Sequence, residues 1–239
     1  MRSCIFLFYI CALAALPRPA RADQADDLYA NRTDLASAKR AADLWRAAIA
    51  SDPRSVEAAW KLARADYWLG GHAPAAEQRG YYEEGIEAGR KAVATAPDKA
   101  DGHFWIAANM GMMAEGFGIR AGLKYRKPIK DELETVLRID PAYRQGSADR
   151  ALGRWYFKVP RLFGGSAKEA EAHLRASLKY NANSTVSHYF LAELYEDQGR
   201  TDEARAECRK VLDAPIDPEY VPEDKDWKAK ASELLQKLR

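Results

Sequence analysis

Apolar positions along this chain recur at intervals of three and four, which is the period of a helix with one buried face. Leu191, Ala192 and Tyr195 share one such stripe, Gly199 breaks it, and Ala204, Cys208 and Val211 resume it. Upstream, Leu152-Gly153 and Tyr156 are followed by Ala170, Leu174 and Ser177 in the same arrangement. Trp60, Ala63 and Tyr67 open an earlier unit that ends at Ala92 and Pro97, and Phe104, Ala107 and Gly111 open another that ends at Leu133, Val136 and Pro141. Ala41, Trp45, Ala48 and Pro53 supply the second half of a first unit, whose opening helix around Leu28 to Asn31 is short and polar. The final stretch puts Trp227, Ala231, Leu234, Leu235 and Leu238 on one face and has no partner after it.

Alternating small and large apolar residues at these offsets is the tetratricopeptide pattern, in which two antiparallel helices pack closely and successive pairs stack. The chain is therefore expected to be all-α: a tetratricopeptide-like solenoid of about five antiparallel helix pairs plus a C-terminal capping helix, one domain over 23–239. Composition agrees, with 44 alanines against 21 Val, Ile and Thr together, a bias towards helix over sheet. The prolines at 53, 97 and 141 are 44 residues apart, longer than the roughly 34-residue repeat. The surplus is expected as loops around 70–80 and 112–127, which with the segment 158–166 would form a rim along one edge. Pro74, the capping box Ser166 to Glu169 and the N-cap candidate Thr201 mark helix starts.

The N-terminus reads differently. Arg2, an apolar run from Cys4 to Leu16, and Ala20-Arg21-Ala22 have the form of an export signal cleaved after Ala22, so 1–22 is expected to be a signal peptide and the mature protein periplasmic. The apolar run is short for a membrane span, and Cys11 follows Phe8-Tyr9-Ile10 with no small residue ahead of it, against a lipid-attachment site. Cleavage would remove Arg2, Arg18 and Arg21, taking 37 basic against 35 acidic residues to 34 against 35. Neither balance suits a nucleic-acid binder. Only Cys208 would remain, on an apolar helix face, where a buried thiol acts as a small hydrophobe.

The run Gly153-Arg154-Trp155-Tyr156-Phe157-Lys158-Val159-Pro160-Arg161-Leu162-Phe163-Gly164-Gly165-Ser166, together with Gly102 to Gly111 (GHFWIAANMG), resembles the TatT family, the tetratricopeptide components associated with TRAP-type solute transporters. The resemblance covers nearly the whole mature chain. It implies a periplasmic helper that pairs with a solute-binding protein, a homo-oligomer (a trimer would suit the family), and a ligand-accommodating cavity without a reaction. The chain departs from lipid-anchored members in lacking their attachment motif.

In such stacks the first helix of each pair lines the concave surface. Residues one, five and eight places after the opening position share a stripe: Lys61, Ala65 and Trp68; Trp105, Asn109 and Met112; Arg150, Arg154 and Phe157; Tyr189, Glu193 and Glu196. The expected groove has an aromatic and thioether section (Trp68, Trp105, Met112, Phe157) flanked by Arg150, Arg154 and Lys158, turning acidic towards its C-terminal end. Arginines can grip a carboxylate bidentately, so one reading is an amphipathic organic anion lying on Trp68 and Trp105. A second is a peptide or helix from a partner. A third is plain packing of the aromatics between helices, with Arg154 pairing to Glu193.

The segment from Lys158 through Pro160, Arg161, Leu162, Phe163, Gly164 and Gly165 carries an apolar pair on a turn. It either folds back as a lid or docks onto a neighbouring subunit or partner. No H-E-x-x-H, C-x-x-C, G-x-S-x-G or Walker-type loop occurs. The histidines at 72, 103, 173 and 188 are scattered, and no strand precedes the glycines at 111, 116, 118 and 122. A non-catalytic binding protein without metal or cofactor is expected, either an adaptor of a transport system or an interaction scaffold in envelope assembly.

Overall fold

A computed structural model describes the backbone of residues 18–238 and the side chains of 23–238. Most of the expected signal peptide, residues 1–17, lies outside the described residues. Among those described there are eleven α-helices and no strand. They fall into five antiparallel pairs: α1 (Arg18–Ala30) with α2 (Leu35–Ser51), α3 (Val56–His72) with α4 (Ala75–Thr95), α5 (Ala100–Gly116) with α6 (Ile119–Ile139), α7 (Tyr143–Lys158) with α8 (Ala167–Ser177), and α9 (Thr185–Asp197) with α10 (Thr201–Asp213). Helix α11 (Val221–Lys237) covers the end. None of the helices is long and apolar enough to cross a membrane.

The pairs form where the sequence puts small residues opposite large ones. Gly153 lets Leu174 approach so closely that a Cβ there would lie 2.5 Å from its Cγ. Leu133, Leu152, Leu174, Leu191 and Leu194 are sealed between helices, each contributing about 2 kcal/mol of burial. Side-chain caps set several starts: Asp34 accepts from Ala36 and Ser37, Ser55 from Ala58, Ser166 from Glu169 and Ser184 from Ser187. Thr201 is the first residue of α10 rather than its cap. Cys208 is fully buried, and burial pushes its thiol up to about 11, consistent with a purely packing role.

The long repeat spacing has a different cause from the one expected. Ala73-Pro74 alone joins α3 to α4, and Phe117-Gly118 alone joins α5 to α6; the surplus residues lengthen α4 and α6 to 21 residues each. Helix α6 runs through Pro128 because Ala121, Tyr125, Ile129, Leu133 and Val136 form a continuous buried seam. That burial outweighs the ~3 kcal/mol an internal proline costs. The anticipated rim of loops thus reduces to one segment, 159–166, with a single 3₁₀ turn at Arg161–Phe163.

The stack also bends far enough for its ends to meet. Arg32, in the turn after α1, donates to Glu223 Oε2 at the start of α11 (2.5 Å) and to the Glu219 carbonyl (3.2 Å), 191 and 187 positions along the chain. The Trp68 indole donates to the Arg32 carbonyl (2.8 Å), holding that turn against α3.

Candidate functional site

The bend forms an open-sided channel of about 1170 Å³, a little above the usual range of ligand-site volumes. Its wall comes from the inner helices α3, α5 and α7, part of α6, the start of α9, and the segment from Pro215 into α11. Aromatic rings dominate it. Tyr67 tilts against Trp105 at 5.6 Å, Phe104 meets the Trp105 ring edge-on at 5.0 Å, and Trp68 stacks on His72 at 3.7 Å. The Trp105 indole N–H is buried without a hydrogen-bond partner among the described residues.

Of the residues expected to line this space, Trp68, Trp105, Met112, Arg150, Arg154, Lys158, Pro160 and Phe163 do so. Four others are corrected, because positions beside the channel stripe turn into the seams between neighbouring helices. Lys61 is buried against α1, paired with Asp26 and Glu57 (both 2.6 Å). Asn109 is fully buried and donates to the carbonyls of Ala63 (3.0 Å) and Trp105 (2.8 Å), tying α5 to α3. Phe157 packs into the core of the fourth and fifth pairs. Tyr189 lies against Trp227 of α11 at 5.2 Å.

The two arginines of α7 have separate fates. Arg154 is held by Glu115 of α5 (2.9 Å) and by Glu193 of α9, as the packing alternative required, and so links three inner helices. Arg150, one turn earlier, has no hydrogen bond or ion pair among the described residues. Burial, with repulsion from Arg144, pulls its guanidinium down to about 10, still charged at neutral pH. The Tyr67 hydroxyl, near enough for Arg150 to affect it, is raised to about 12 by burial and also has no hydrogen-bond partner among the described residues. A cation and a phenol are therefore available to a ligand along this wall, whereas the Trp105 indole N–H is sealed behind it.

Arg144 is the contribution sequence reasoning missed. Arg144, Gln145 and Gly146 occupy the left-handed region at φ 43°, 59° and 73°, a conformation costing roughly 1–2 kcal/mol at each non-glycine residue. Specific contacts hold the turn. Arg144 pairs with Glu219 (2.7 Å) and lies over the rings of Trp105 and Tyr220, while Gln145 donates to Asp217 (3.0 Å) and accepts from Asn181. The strain places a second cation on the channel wall beside Arg150; Gly146 is its only local sequence signal. The acidic end is also built differently from the expectation. It is made by Asp217, Glu223, Asp224 and Asp226 rather than by Glu193 and Glu196.

The segment 158–166 folds back on α7. Ser166 donates to the Tyr156 carbonyl (2.9 Å) and Gly165 to the Pro160 carbonyl (3.2 Å). Gly164 sits at φ 104°, and a Cβ on Gly165 would strike the Val159 carbonyl. Val159, Pro160 and Phe163 border the channel, whereas Arg161 and Leu162 point to solvent.

Three histidines off the channel are committed to contacts within the stack. His103 bonds Glu132 and the Pro97 carbonyl, His188 bonds Glu207 (2.6 Å) and the Ala182 carbonyl (2.9 Å), and His173 bonds Asp149 (2.7 Å). Among the described residues no group of three or more His, Cys, Asp or Glu could hold a metal ion.

With this geometry in view, known proteins place the chain. The family model for Regulator of microtubule dynamics protein 1-3 matches residues 22–163, more than half of the sequence. The chain belongs to this family. A tetratricopeptide-repeat model matches residues 164–221. Among curated relatives, Regulator of microtubule dynamics protein 3 of Bos taurus is 27% identical over 157 residues, 59% of this chain and 33% of that protein. The chain thus spans about a third of the relative's length. The fold is shared with a thermophilic tetratricopeptide protein of Thermus thermophilus (TM-score 0.69, 24% identity, 91% of this chain and 98% of that one). It is shared also with PilW, a widely conserved type IV pilus biogenesis factor (TM-score 0.59, 18% identity, 92% of each chain). This family member is therefore a tetratricopeptide solenoid.

Proposed function

We propose that this protein is a non-catalytic binding module whose channel holds an elongated amphipathic organic anion. One observation carries the reading: Arg150 stands charged and unpaired on an aromatic wall, beside an Arg144 that strained backbone places there. The apolar body of the ligand lies on Trp68, Trp105 and Phe104, and its carboxylate takes the Arg150 guanidinium with the Tyr67 hydroxyl as a further donor. The resemblance to TatT proteins supports placing the module in the periplasm, exported by residues 1–22 and delivering to or receiving from the solute-binding protein of a TRAP-type transporter. Ala25 and Tyr29, just past Ala22, are buried, so cleavage there leaves the packed half of α1 in place.

The test uses cis-parinaric acid and its methyl ester as fluorescent probes. The acid should bind at least about tenfold more tightly than the ester, and Arg150→Ala should erase that difference. Equal affinity of the two probes for the unaltered protein would overturn the anion reading. A second reading, a scaffold that threads an extended protein segment, is favoured by the likeness to PilW and by a channel that is basic at Arg150 and acidic at Asp217 and Asp226. Peptide capture with no binding of either probe would decide for it.

A further inference from the structure

The channel mouth carries a feature that holding a ligand does not require. Six large apolar side chains are exposed among the described residues, and four belong to two neighbouring segments: Ile119 (79% exposed) and Leu123 (48%) on the first turns of α6, and Leu162 (88%) and Phe163 (40%) in the turn after α7. The segments touch. The Arg126 guanidinium lies over the Phe163 ring at 5.2 Å, and the Trp155 indole donates to the Arg126 carbonyl (2.8 Å). Ile119, Leu123 and Phe163 border the same cavity. On α6, Ile119, Leu123 and Arg126 follow one stripe, with Arg120, Lys124 and Lys127 on the stripe beside it.

Charge around these tips is one-sided. Residues 118–130 and 158–165 contain Arg120, Lys124, Arg126, Lys127, Lys130, Lys158 and Arg161, and no acidic residue. Nearby carboxylates are already engaged: Asp131 with Lys127 (2.5 Å), Glu134 with Lys130 (3.6 Å), Glu193 with Arg154 and Lys158, and Glu115 with Arg154. That leaves Arg120, Lys124, Arg126 and Arg161 without an acidic partner among the described residues.

We infer that this lip docks on an anionic lipid surface, with Ile119, Leu123, Leu162 and Phe163 entering the interface and Arg120, Lys124, Arg126 and Arg161 meeting the headgroups. The geometry favours a bilayer over a folded partner. Leu162 and Ile119 are the most exposed of the large apolar side chains among the described residues, and cations flank them as interfacial segments require. Docking in this orientation would turn the channel mouth towards the membrane. The inference does not depend on what the channel holds.

The full chain should co-sediment with phosphatidylcholine vesicles containing phosphatidylserine at least about tenfold better than with phosphatidylcholine alone, and added salt should reduce the difference. An N-terminal apolar run would bind both vesicle types, so the ratio is the readout. Ile119→Glu with Leu162→Glu, and separately Arg120→Glu with Lys124→Glu, should each bring the ratio close to one. These four side chains are at the surface, so the variants should keep the far-UV spectrum of the parent. A ratio near one for the unaltered protein, or a ratio unmoved by both variants, overturns the proposal. So does light scattering in which the parent is an oligomer and the Ile119→Glu, Leu162→Glu variant a monomer, since the lip would then cover a second copy.

Discussion

Two unpaired charges sit on opposite sides of the channel wall, and their surroundings give them opposite meanings. Arg150 faces space that another molecule can fill. Asp66, on α3, faces sealed packing: it is fully buried, neither carboxylate oxygen has a hydrogen-bond partner among the described residues, and the nearby Arg46 is committed to Glu84 and Asp43. Burial first, and then repulsion from Glu84, raise the Asp66 pKa well above the carboxylate range, against a smaller pull from Arg46. An unpaired group in a closed seam discharges itself, whereas an unpaired group on an open channel keeps its charge available for a ligand. Arg154 is the reference between them, a channel arginine already neutralised by two glutamates.

The comparison can be broken in four ways. Arg150→Ala should weaken cis-parinaric acid about thirtyfold, near 2 kcal/mol, with little change in melting temperature; fluorescence titration and calorimetry together test this. Asp66→Asn should stabilise the fold by about 1 kcal/mol at neutral pH. Because the folded pKa of Asp66 is raised, its favourable contribution is complete below the ordinary carboxylate pKa and is lost as pH climbs through the folded value. Urea unfolding should therefore show a decline in stability over that range in the parent that Asp66→Asn flattens. Arg154→Ala should lower stability by about 1 kcal/mol, since the pair is partly screened, while leaving the preference for acid over ester intact. Arg32→Ala parts the turn after α1 from Glu223 and should show as faster probe release in stopped flow, the least direct of the four effects.

What the sequence disclosed follows from the range over which each cause acts. Helix pairs are local: the Leu152-Gly153 and Ala170-Leu174 spacing is set by which residues can lie against each other one pair at a time, so five pairs and a cap could be read directly. The length of α4 and α6 was misassigned to loops because repeat spacing alone does not distinguish an insertion from an extended helix. Of the expected stripe, Trp68, Trp105, Met112 and Arg150 border the channel, whereas Lys61, Asn109, Phe157 and Tyr189 turn into helix seams. Lys61, Asn109 and Tyr189 reach Asp26, Ala63 and Trp227 in adjacent elements, and how an inner helix rotates against its neighbours is not encoded within it. Arg150 and Arg154 look equivalent in sequence. Only curvature brings Glu115 and Glu193, each 39 positions away, onto one of them. The left-handed turn at 144–146 was invisible because two of its three residues carry no glycine signal.

The contact between Arg32 and Glu223 has a consequence for how such a protein can change over time. Repeat arrays usually grow or shrink by duplicating or dropping a unit, since each unit answers only to the next. Here the first turn and the final helix are fitted to one another, like the first and last staves of a cask. An added or missing stave would part Arg32 from Glu223, so a change in unit number would cost this contact.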